Sequence, residues 1–219
     1  MSNIVHDYIE EYIRELIPED LGIIKELEDY AKNNDVPIIQ KEVAKLLSII
    51  IKSHGIKNIL EVGAAIGYSS IVMANAAGDC GITTIERNDE MYDKACENIK
   101  KAKLDDKIKI IKGEALEVLK GLNGTYDMIF LDAAKGHYIH FLPECMRLLK
   151  TGGLLISDNV LFRGMIATND LVKRRKITIV KRLRKYLSAI SNMPELETVV
   201  LPVGDGLAIS LKVTEVKKW

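Results

Sequence analysis

Oxygen side chains follow two apolar runs of the sequence, at the points where these runs end. Asp132 comes directly after the run that ends at residue 131, and Asp158 and Asn159 follow the run that ends at residue 157. If the two runs are neighbouring parallel strands, their ends lie about 5 Å apart and the three side chains converge. Carboxylate and amide oxygens suit Mg²⁺ or another hard divalent cation and do not suit zinc. The alternative is that Asp158 and Asn159 are ordinary turn or cap residues, as both types often are.

Lys135, three residues after Asp132, is a candidate general base. A dication nearby disfavours the ammonium form of a lysine, and a neutral amine can take a proton from a substrate hydroxyl. The alternative is an ordinary surface lysine, which is the commonest environment of this residue type. Only the position of Lys135 beside the three oxygen side chains favours its role as a general base.

A glycine-containing turn, EVGAAIGYS, spans Glu61–Ser69 after the first strand-like run. Gly63 and Gly67 allow a tight turn and a close approach of the backbone to a ligand at the start of a helix. Glu86 ends the next run, where an acid can accept both ribose hydroxyls of a nucleoside. These residues favour an adenosine-containing cofactor, and the GxxxG spacing makes NAD the weaker choice because dinucleotide sites have GxGxxG. The alternative is a glycine turn with a solvated glutamate.

The elements that precede these residues are helical in pattern. A first helix covers the apolar repeat of residues 4–16, and Glu19 and Asp20 suit the first turn of a second helix. A third helix spans Gln40–Ser53 and has one apolar face. We therefore expect a helical cover over residues 1–55.

Short apolar runs then alternate with helical stretches, which implies βαβ units and a mainly parallel sheet with helices on both faces. The last two runs are close enough for a hairpin, so the last strand should be antiparallel. The predicted fold class is α/β, as one domain over residues 1–219 with its core at 56–219. The predicted strands are Asn58–Val62, Ile82–Ile85, Ile108–Ile111, Met128–Leu131, Leu154–Ser157, Thr198–Leu201 and Leu207–Val213. The predicted helices of the core are 68–77, 89–102, 114–121, 137–149 and about 170–190.

The composition excludes several classes of protein. Of the 219 residues, 47% are hydrophobic and 28% charged, as is ordinary for a globular protein. Aromatic residues make up 5%, which argues against a lectin-like or aromatic-platform binding module. No apolar run reaches the roughly 18 residues of a membrane span, and the acidic start of the chain is unlike a signal peptide. Three widely spaced cysteines predict neither a zinc site nor a disulfide framework, so we expect a reducing cytoplasm.

The charge is unevenly distributed, although the net charge is zero. Residues 1–35 contain ten acids and three Lys or Arg, a balance of −7, whereas residues 150–190 contain ten Lys or Arg and two acids, a balance of +8. The second region contains an amphipathic helix, at about 170–190, that we expect to follow RNA phosphates. The alternative is a solvated charged face, or one paired with an acidic helix of a partner subunit. Membrane binding is disfavoured because this helix lacks Trp and Phe anchors. Its basic residues are Lys173, Arg174, Arg175, Lys176, Lys181, Arg182, Arg184 and Lys185.

Five motifs stand at the ends of the predicted strands: GAAIGYS, the acid Glu86, FLDAAK, ISDNVLFRG and GDGLAIS. Taken together they resemble the class I cation-dependent O-methyltransferases, a group that includes the catechol and caffeoyl-CoA enzymes and many small bacterial members. The resemblance covers roughly residues 36–213. It implies a Rossmann-like seven-stranded sheet of order 3-2-1-4-5-7-6, S-adenosylmethionine as the methyl donor and a divalent cation such as Mg²⁺.

The resemblance also implies a role for each matching residue. Those that contact the donor would be Ile38, Glu61, Gly63, Ser69, Glu86, Gly113, Glu114, Ala115 and Asp132. The metal ligands would be Asp132, Asp158 and Asn159, and the catalytic residues would be Lys135 and Asp132. The metal would acidify and orient an acceptor hydroxyl, Lys135 would remove its proton, and the oxyanion would attack the methyl group in line.

Two departures from the catechol enzymes bear on the acceptor. Those enzymes stack a tryptophan of the helical cover on the catechol ring, whereas the only tryptophan here is Trp219. They also have an acid after the DGL motif, where this chain has Ala208. Among bacterial members, the chain most resembles the tRNA 5-hydroxyuridine methyltransferases. Their target would be an unpaired base of the anticodon loop, which can be turned out into a pocket.

Two other function classes stay open at this point. One is a small-molecule O-methyltransferase that acts on catechol-like vicinal hydroxyls. The other is a noncatalytic binder of S-adenosylmethionine or NAD, which the complete set of Asp132, Lys135, Asp158 and Asn159 disfavours. Members of the family are commonly homodimers, and the apolar N-terminal helices suit a dimer.

Overall fold

The computed structural model describes residues 4–213, and Trp219 therefore lies outside the described residues. The helices are α1 (Asp7–Glu15), α2 (Ile23–Asn33), α3 (Lys41–His54), α4 (Tyr68–Ala77), α5 (Asp89–Lys101), α6 (Ala115–Gly121), α7 (Tyr138–Leu148) and α8 (Ile177–Asn192). The strands are β1 (Asn58–Val62), β2 (Gly81–Glu86), β3 (Ile108–Lys112), β4 (Tyr126–Leu131), β5 (Leu149–Ser157), β6 (Leu196–Leu201) and β7 (Leu207–Lys212). Single 3₁₀ turns cover Lys135–His137 and Arg174–Lys176. No helix within residues 4–213 is long and apolar enough to cross a membrane.

The strands form one sheet of order β3-β2-β1-β4-β5-β7-β6. Strands β1 to β5 pair in parallel, and β7 runs antiparallel to both β5 and β6. Successive side chains of a strand point to opposite faces, so each face has a core of its own. Ile59 packs in a cluster with residues of α2, α3 and α4, whereas Leu60 packs in a cluster with residues of α6, α7 and α8. The predicted fold class and strand order are confirmed.

The second helix starts later than the sequence predicts. It begins at Ile23, so Glu19 and Asp20 lie before the helix and not in its first turn. Gly22 has a φ of 59° and a ψ of −136°, a conformation that is not helical and that glycine adopts at low cost. The helix therefore cannot extend backwards through this residue.

The basic helix also starts later than predicted, at Ile177 and not near residue 170, and it ends at Asn192. The segment before it is held in turns. Within that segment Val172 N–H donates to the Asn169 carbonyl three residues back (3.0 Å), which is a turn bond and not the bond of an α-helix. Part of the basic region is thus a loop.

The helical cover packs mainly through α3, which contacts α4. Helix α1 has no buried residue, and Arg14 ties it to the rest by donating to Glu42 and to Gln40, each at 2.9 Å. The same helix exposes the apolar bodies of Tyr8 (68%) and Tyr12 (62%). This exposed stripe would suit the homodimer, which stays a prediction.

Candidate active site

The carboxyl ends of the parallel strands meet at one edge of the sheet, where a cavity of about 350 Å³ opens. This is the place at which open α/β sheets bind ligands. The predicted base Lys135 and the predicted metal ligands Asp158 and Asn159 line the cavity. So do most of the residues predicted to contact the donor, namely Ile38, Gly63, Ser69, Glu86, Gly113, Glu114, Ala115 and Asp132. The structure thus brings together residues from six separate parts of the sequence.

The turn after β1 brings backbone close to the end of β4. Gly63 has a φ of 107°, and its N–H donates to the Ile85 carbonyl at 3.0 Å. A Cβ at this position would lie 2.8 Å from the carbonyl carbon of Asp132 and closer still to its oxygen. Only glycine fits here, for reasons of both space and backbone conformation.

Glu61 is the exception among the predicted donor contacts, because it lies beneath the cavity and not on its wall. Its carboxylate is fully buried, and Oε2 accepts from the hydroxyls of Ser70 and Thr84, the latter at 2.6 Å. Burial raises the pKa of this carboxyl, and the bonds from Ser70 and Thr84 oppose that shift. Oε1 is buried and has no hydrogen-bond partner among the described residues. Such an atom fits a ligand with a donor group, such as the ammonium of a methionine moiety.

Glu86, at the end of β2, is held in place by backbone. Its Oε2 accepts from Ala65 N–H (2.9 Å), and its Oε1 accepts from the N–H groups of Arg87 and Asn88 (2.8 Å each). A carboxylate has about four lone-pair sites, so one remains for a ligand. The fixed orientation at the cavity wall suits recognition of a ribose.

The residues after β3 close the far end of the same cavity. Gly113 N–H donates to the Glu86 carbonyl (2.9 Å), which joins the two strand ends. Glu114 precedes α6 and forms an exposed ion pair with Arg87 (3.4 Å). Ala115 begins α6 and lies on the cavity wall. Arg87 is a wall residue that the sequence analysis did not identify.

The predicted metal ligands follow β4 and β5, which are paired so that Leu131 lies opposite Ser157. Asp158 is 2% exposed, and its N–H donates to the Leu131 carbonyl at 2.9 Å. Burial, and then the nearby charge of Asp132, raise the pKa of Asp158 to about 8. Burial raises the pKa of Asp132 to about 6, against the opposing charge of Lys135. Two carboxylates are thus forced together in a poorly hydrated place.

The chemistry of this donor set fits a hard dication. Lys135 Nζ lies 3.8 Å from Asp132 Oδ1 and is the cation that faces the two acids. One ammonium cannot neutralise two carboxylates, and a divalent ion would remove the like-charge repulsion. Asn159, at a φ of 55°, adds an amide oxygen. The three side chains are two carboxylates and an amide, so their donors are oxygens, which suit a hard dication and not zinc. No group of three or more His, Cys, Asp or Glu suited to a metal occurs within residues 4–213.

A second, larger cavity of about 740 Å³ adjoins the first and shares Lys135, Asn159 and Asp205 with it. We call it the acceptor cleft. Its remaining wall residues come from α1, from the segment before α3, from the segment after β5 and from the turn between β6 and β7; they are Asp7, Glu10, Glu11, Arg14, Pro37, Gln40, Phe162, Arg163 and Gly204. Asp205 and Arg163 were not predicted as site residues, although Asp205 belongs to the motif GDGLAIS and Arg163 to the motif ISDNVLFRG. The acids of α1 had no local motif to reveal them.

Comparison with known proteins identifies the family. The family model described as O-methyltransferase matches residues 15–213. Caffeoyl-CoA O-methyltransferase 2 of Populus trichocarpa is 32% identical over 223 residues, which cover 94% of this chain and 89% of that protein. The chain belongs to the O-methyltransferase family.

Solved structures agree with this assignment. A Staphylococcus aureus protein with a provisional caffeoyl-CoA O-methyltransferase assignment is 37% identical, with a TM-score of 0.88 and coverage of 94% of this chain and 100% of that one. A methyltransferase of Podospora anserina bound to S-adenosylhomocysteine has a TM-score of 0.87 at 24% identity. At this identity the likeness supports the fold alone. The resemblance inferred from the five motifs is confirmed, and this chain is an S-adenosylmethionine-dependent O-methyltransferase of the caffeoyl-CoA type.

In this O-methyltransferase, Gly63→Ala should be strongly destabilising, because the new Cβ overlaps backbone that cannot move aside. We expect a loss of at least about 2 kcal/mol in the free energy of unfolding, as for other severe core or backbone defects. Gly121→Ala is the matched control, since its Cβ would meet no atom within 4 Å. Urea denaturation of both variants measures the difference. Equal stability of the two would contradict the proposed close approach.

Proposed function

We propose that this enzyme transfers a methyl group from S-adenosylmethionine to the 5-hydroxyl of 5-hydroxyuridine in tRNA, with a divalent cation at Asp132, Asp158 and Asn159. A cytoplasmic location is part of the same proposal. The observation that supports tRNA most directly is a basic surface that adjoins the acceptor cleft. We define this basic surface as Lys173, Arg174, Arg175, Lys176, Lys181, Arg182 and Lys185.

The chemistry of the acceptor agrees with the donor set. 5-Hydroxyuridine has a hydroxyl beside a carbonyl, a vicinal pair of oxygens that can chelate a cation as a catechol does. When bound, the donor supplies an electrophilic methyl group and the dication supplies a Lewis acid that favours the ionised hydroxyl. Lys135, in the neutral amine form that a nearby dication would favour, accepts the hydroxyl proton at Nζ, and Glu86 orients the ribose of the donor. The oxygen–carbon bond then forms as the carbon–sulfur bond breaks.

The basic surface lies next to the catalytic residues. Helix α8 packs against the 3₁₀ turn that begins with Lys135. Lys176 Nζ lies 5.8 Å from the centroid of the Phe162 ring, which is part of the wall of the acceptor cleft. A tRNA bound along α8 would therefore reach the cleft with a base turned out of its loop.

Arg184 does not belong to the basic surface, contrary to the sequence analysis. Its guanidinium donates to the carbonyls of Ile166 (3.0 Å) and Met165 (3.2 Å) and to the side chain of Asn169 (2.8 Å). These bonds satisfy backbone groups of the loop that follows β5. Arg184 is a structural residue, and its substitution would test the loop and not RNA binding.

Charge reversal at exposed arginines tests RNA binding by the basic surface separately from the structural role of Arg184. Arg174 and Arg175 are exposed, so Arg174→Glu/Arg175→Glu should weaken tRNA binding about tenfold and lower the salt slope by about two. The control is Lys100→Glu/Lys109→Glu, which changes exposed residues of α5 and of the edge strand β3, at the other end of the sheet. Filter binding at several KCl concentrations measures both quantities. An unchanged affinity and slope would remove the RNA surface from the proposal.

The decisive assay is transfer of labelled methyl from S-adenosylmethionine to bulk tRNA that contains 5-hydroxyuridine, with and without EDTA. Label in 5-methoxyuridine that EDTA abolishes would support donor, metal and acceptor together. Folded protein that binds the donor but gives no label on tRNA would favour a small acceptor instead.

A small molecule with vicinal hydroxyls is the second candidate acceptor. One wall of the acceptor cleft is acidic, with Asp7, Glu10 and Glu11 on α1, and would repel a phosphate chain that entered from that side. The caffeoyl-CoA enzymes among the relatives support the same class. A panel of catechol and caffeoyl-CoA, run beside tRNA, distinguishes the two candidates by the ratio of kcat/KM values.

A further inference from the structure

Three residues of the segment after β5 have a backbone conformation that is energetically unfavourable unless the surrounding structure enforces it. Asn159, Phe162 and Arg163 have φ values of 55°, 47° and 56°, a left-handed conformation that side chains other than glycine rarely adopt. Such residues persist where the surrounding structure enforces them, and they gather at functional sites. Asn159 is the proposed amide ligand of the metal, so whatever enforces this segment also sets the site.

The turn between β6 and β7 contacts this segment at Val160, Leu161 and Arg163. Val160 N–H donates to the Gly206 carbonyl (2.9 Å), and Leu161 N–H donates to the Asp205 carbonyl (3.0 Å). Asp205 Oδ1 accepts from Arg163 N–H. One residue therefore binds the segment twice, through its backbone and through its carboxylate.

We propose that Asp205 is a positioning residue, which holds Asn159–Arg163 in the conformation that presents Asn159 to the metal. This rests on the proposed metal site, and it assigns Asp205 no contact with the metal. In this role Asp205 acts as a hydrogen-bond acceptor, and its negative charge is incidental. An asparagine could therefore replace it, because its side-chain carbonyl accepts the same bond.

The test measures Mn²⁺ binding to the metal-free full chain in the absence of donor and acceptor. Electron paramagnetic resonance of the free Mn²⁺ reports how much is bound. Asp205→Ala should weaken Mn²⁺ binding at least tenfold, whereas Asp205→Asn should remain within about threefold of the wild type. Equal weakening by both variants would mean that Asp205 acts through its charge, as a ligand would, and would overturn the proposal. Wild-type affinity in Asp205→Ala would overturn it too.

A rescue variant tests the backbone argument itself. Glycine adopts a φ of 56° without strain, so Arg163→Gly should remove the need for the bond from Asp205. The ratio of Mn²⁺ dissociation constants between Asp205→Ala/Arg163→Gly and Arg163→Gly should fall to about threefold or less. A ratio that stays at tenfold would contradict positioning through this bond.

A second variant disturbs the same contact without touching the carboxylate, in case Asp205→Ala does not fold. A Cβ on Gly206 would lie 2.8 Å from the Leu161 backbone nitrogen and nearer still to its side chain. Gly206→Ala should therefore weaken Mn²⁺ binding in the same direction, and unchanged binding would overturn the proposal. If the wild type itself binds no Mn²⁺, the metal site of the proposed function fails instead.

Discussion

Replacing Lys135 by alanine should slow methyl transfer severely and leave donor binding nearly unchanged. Lys135 lies beside Asp132 at the junction of the two cavities, with Nζ 3.8 Å from Asp132 Oδ1, where an acceptor hydroxyl would meet the donor. Removing a general base typically costs about 10²–10⁴ in rate. We expect a loss in this range in single-turnover transfer to tRNA or to a catechol, whichever is the better acceptor.

The control for this prediction is Lys100→Ala, which removes an exposed lysine of α5 far from the strand ends. It should retain the wild-type rate. Isothermal titration of S-adenosylmethionine should give a dissociation constant within about threefold of the wild type for Lys135→Ala, because the proposed donor contacts are made by other residues. A fully active Lys135→Ala enzyme would remove Lys135 from the mechanism, and a variant that had lost donor binding would make its role structural.

The strand ends were predictable from the sequence, and the reason is local. Period-two and period-3.6 patterns fix which residues end each strand, and in a parallel sheet those ends share one edge. These patterns alone place Asp132, Asp158 and Glu86 at one edge of the sheet, where all three line the cavity. The same logic does not reach Glu61, which lies within β1 and faces the core, and its contact with the donor stays a prediction from the family resemblance.

The acceptor cleft was not predictable, because its walls meet through contacts between distant parts of the chain. Helix α1 reaches it by way of Arg14 and Glu42, and the segment after β5 is shaped by Asp205. The contacts of Arg184 were not predictable from the sequence either. It has the sequence context of a surface cation, yet it donates to the carbonyls of a loop some 18 residues back.

Replacing Asp158 by asparagine should raise the thermal stability of the metal-free protein while destroying the metal site. Burial, aided by the charge of Asp132, raises the pKa of Asp158 to about 8, whereas an aspartate in the unfolded chain titrates near 3.9. Between pH 4 and 8 the native state thus binds more protons at this residue than the unfolded state does, so stability falls as the pH rises through that window. Asparagine cannot ionise and escapes this loss.

The difference in Tm between Asp158→Asn and the wild type should grow as the pH rises and should shrink when Mg²⁺ is added. In EDTA at pH 8, Asp158→Asn should melt on the order of 5 °C above the wild type, and the difference should shrink as the pH falls and vanish only near pH 4, where the unfolded state also binds the proton. Adding Mg²⁺ at pH 8 should raise the Tm of the wild type and not that of the variant, because a ligand stabilises only the protein that binds it. Asp106→Asn, at an exposed position, should follow the wild type throughout. A variant less stable than the wild type in EDTA at pH 8 would mean that the Asp158 carboxylate is well solvated or paired, and the case for a dication at this site would lose its electrostatic basis.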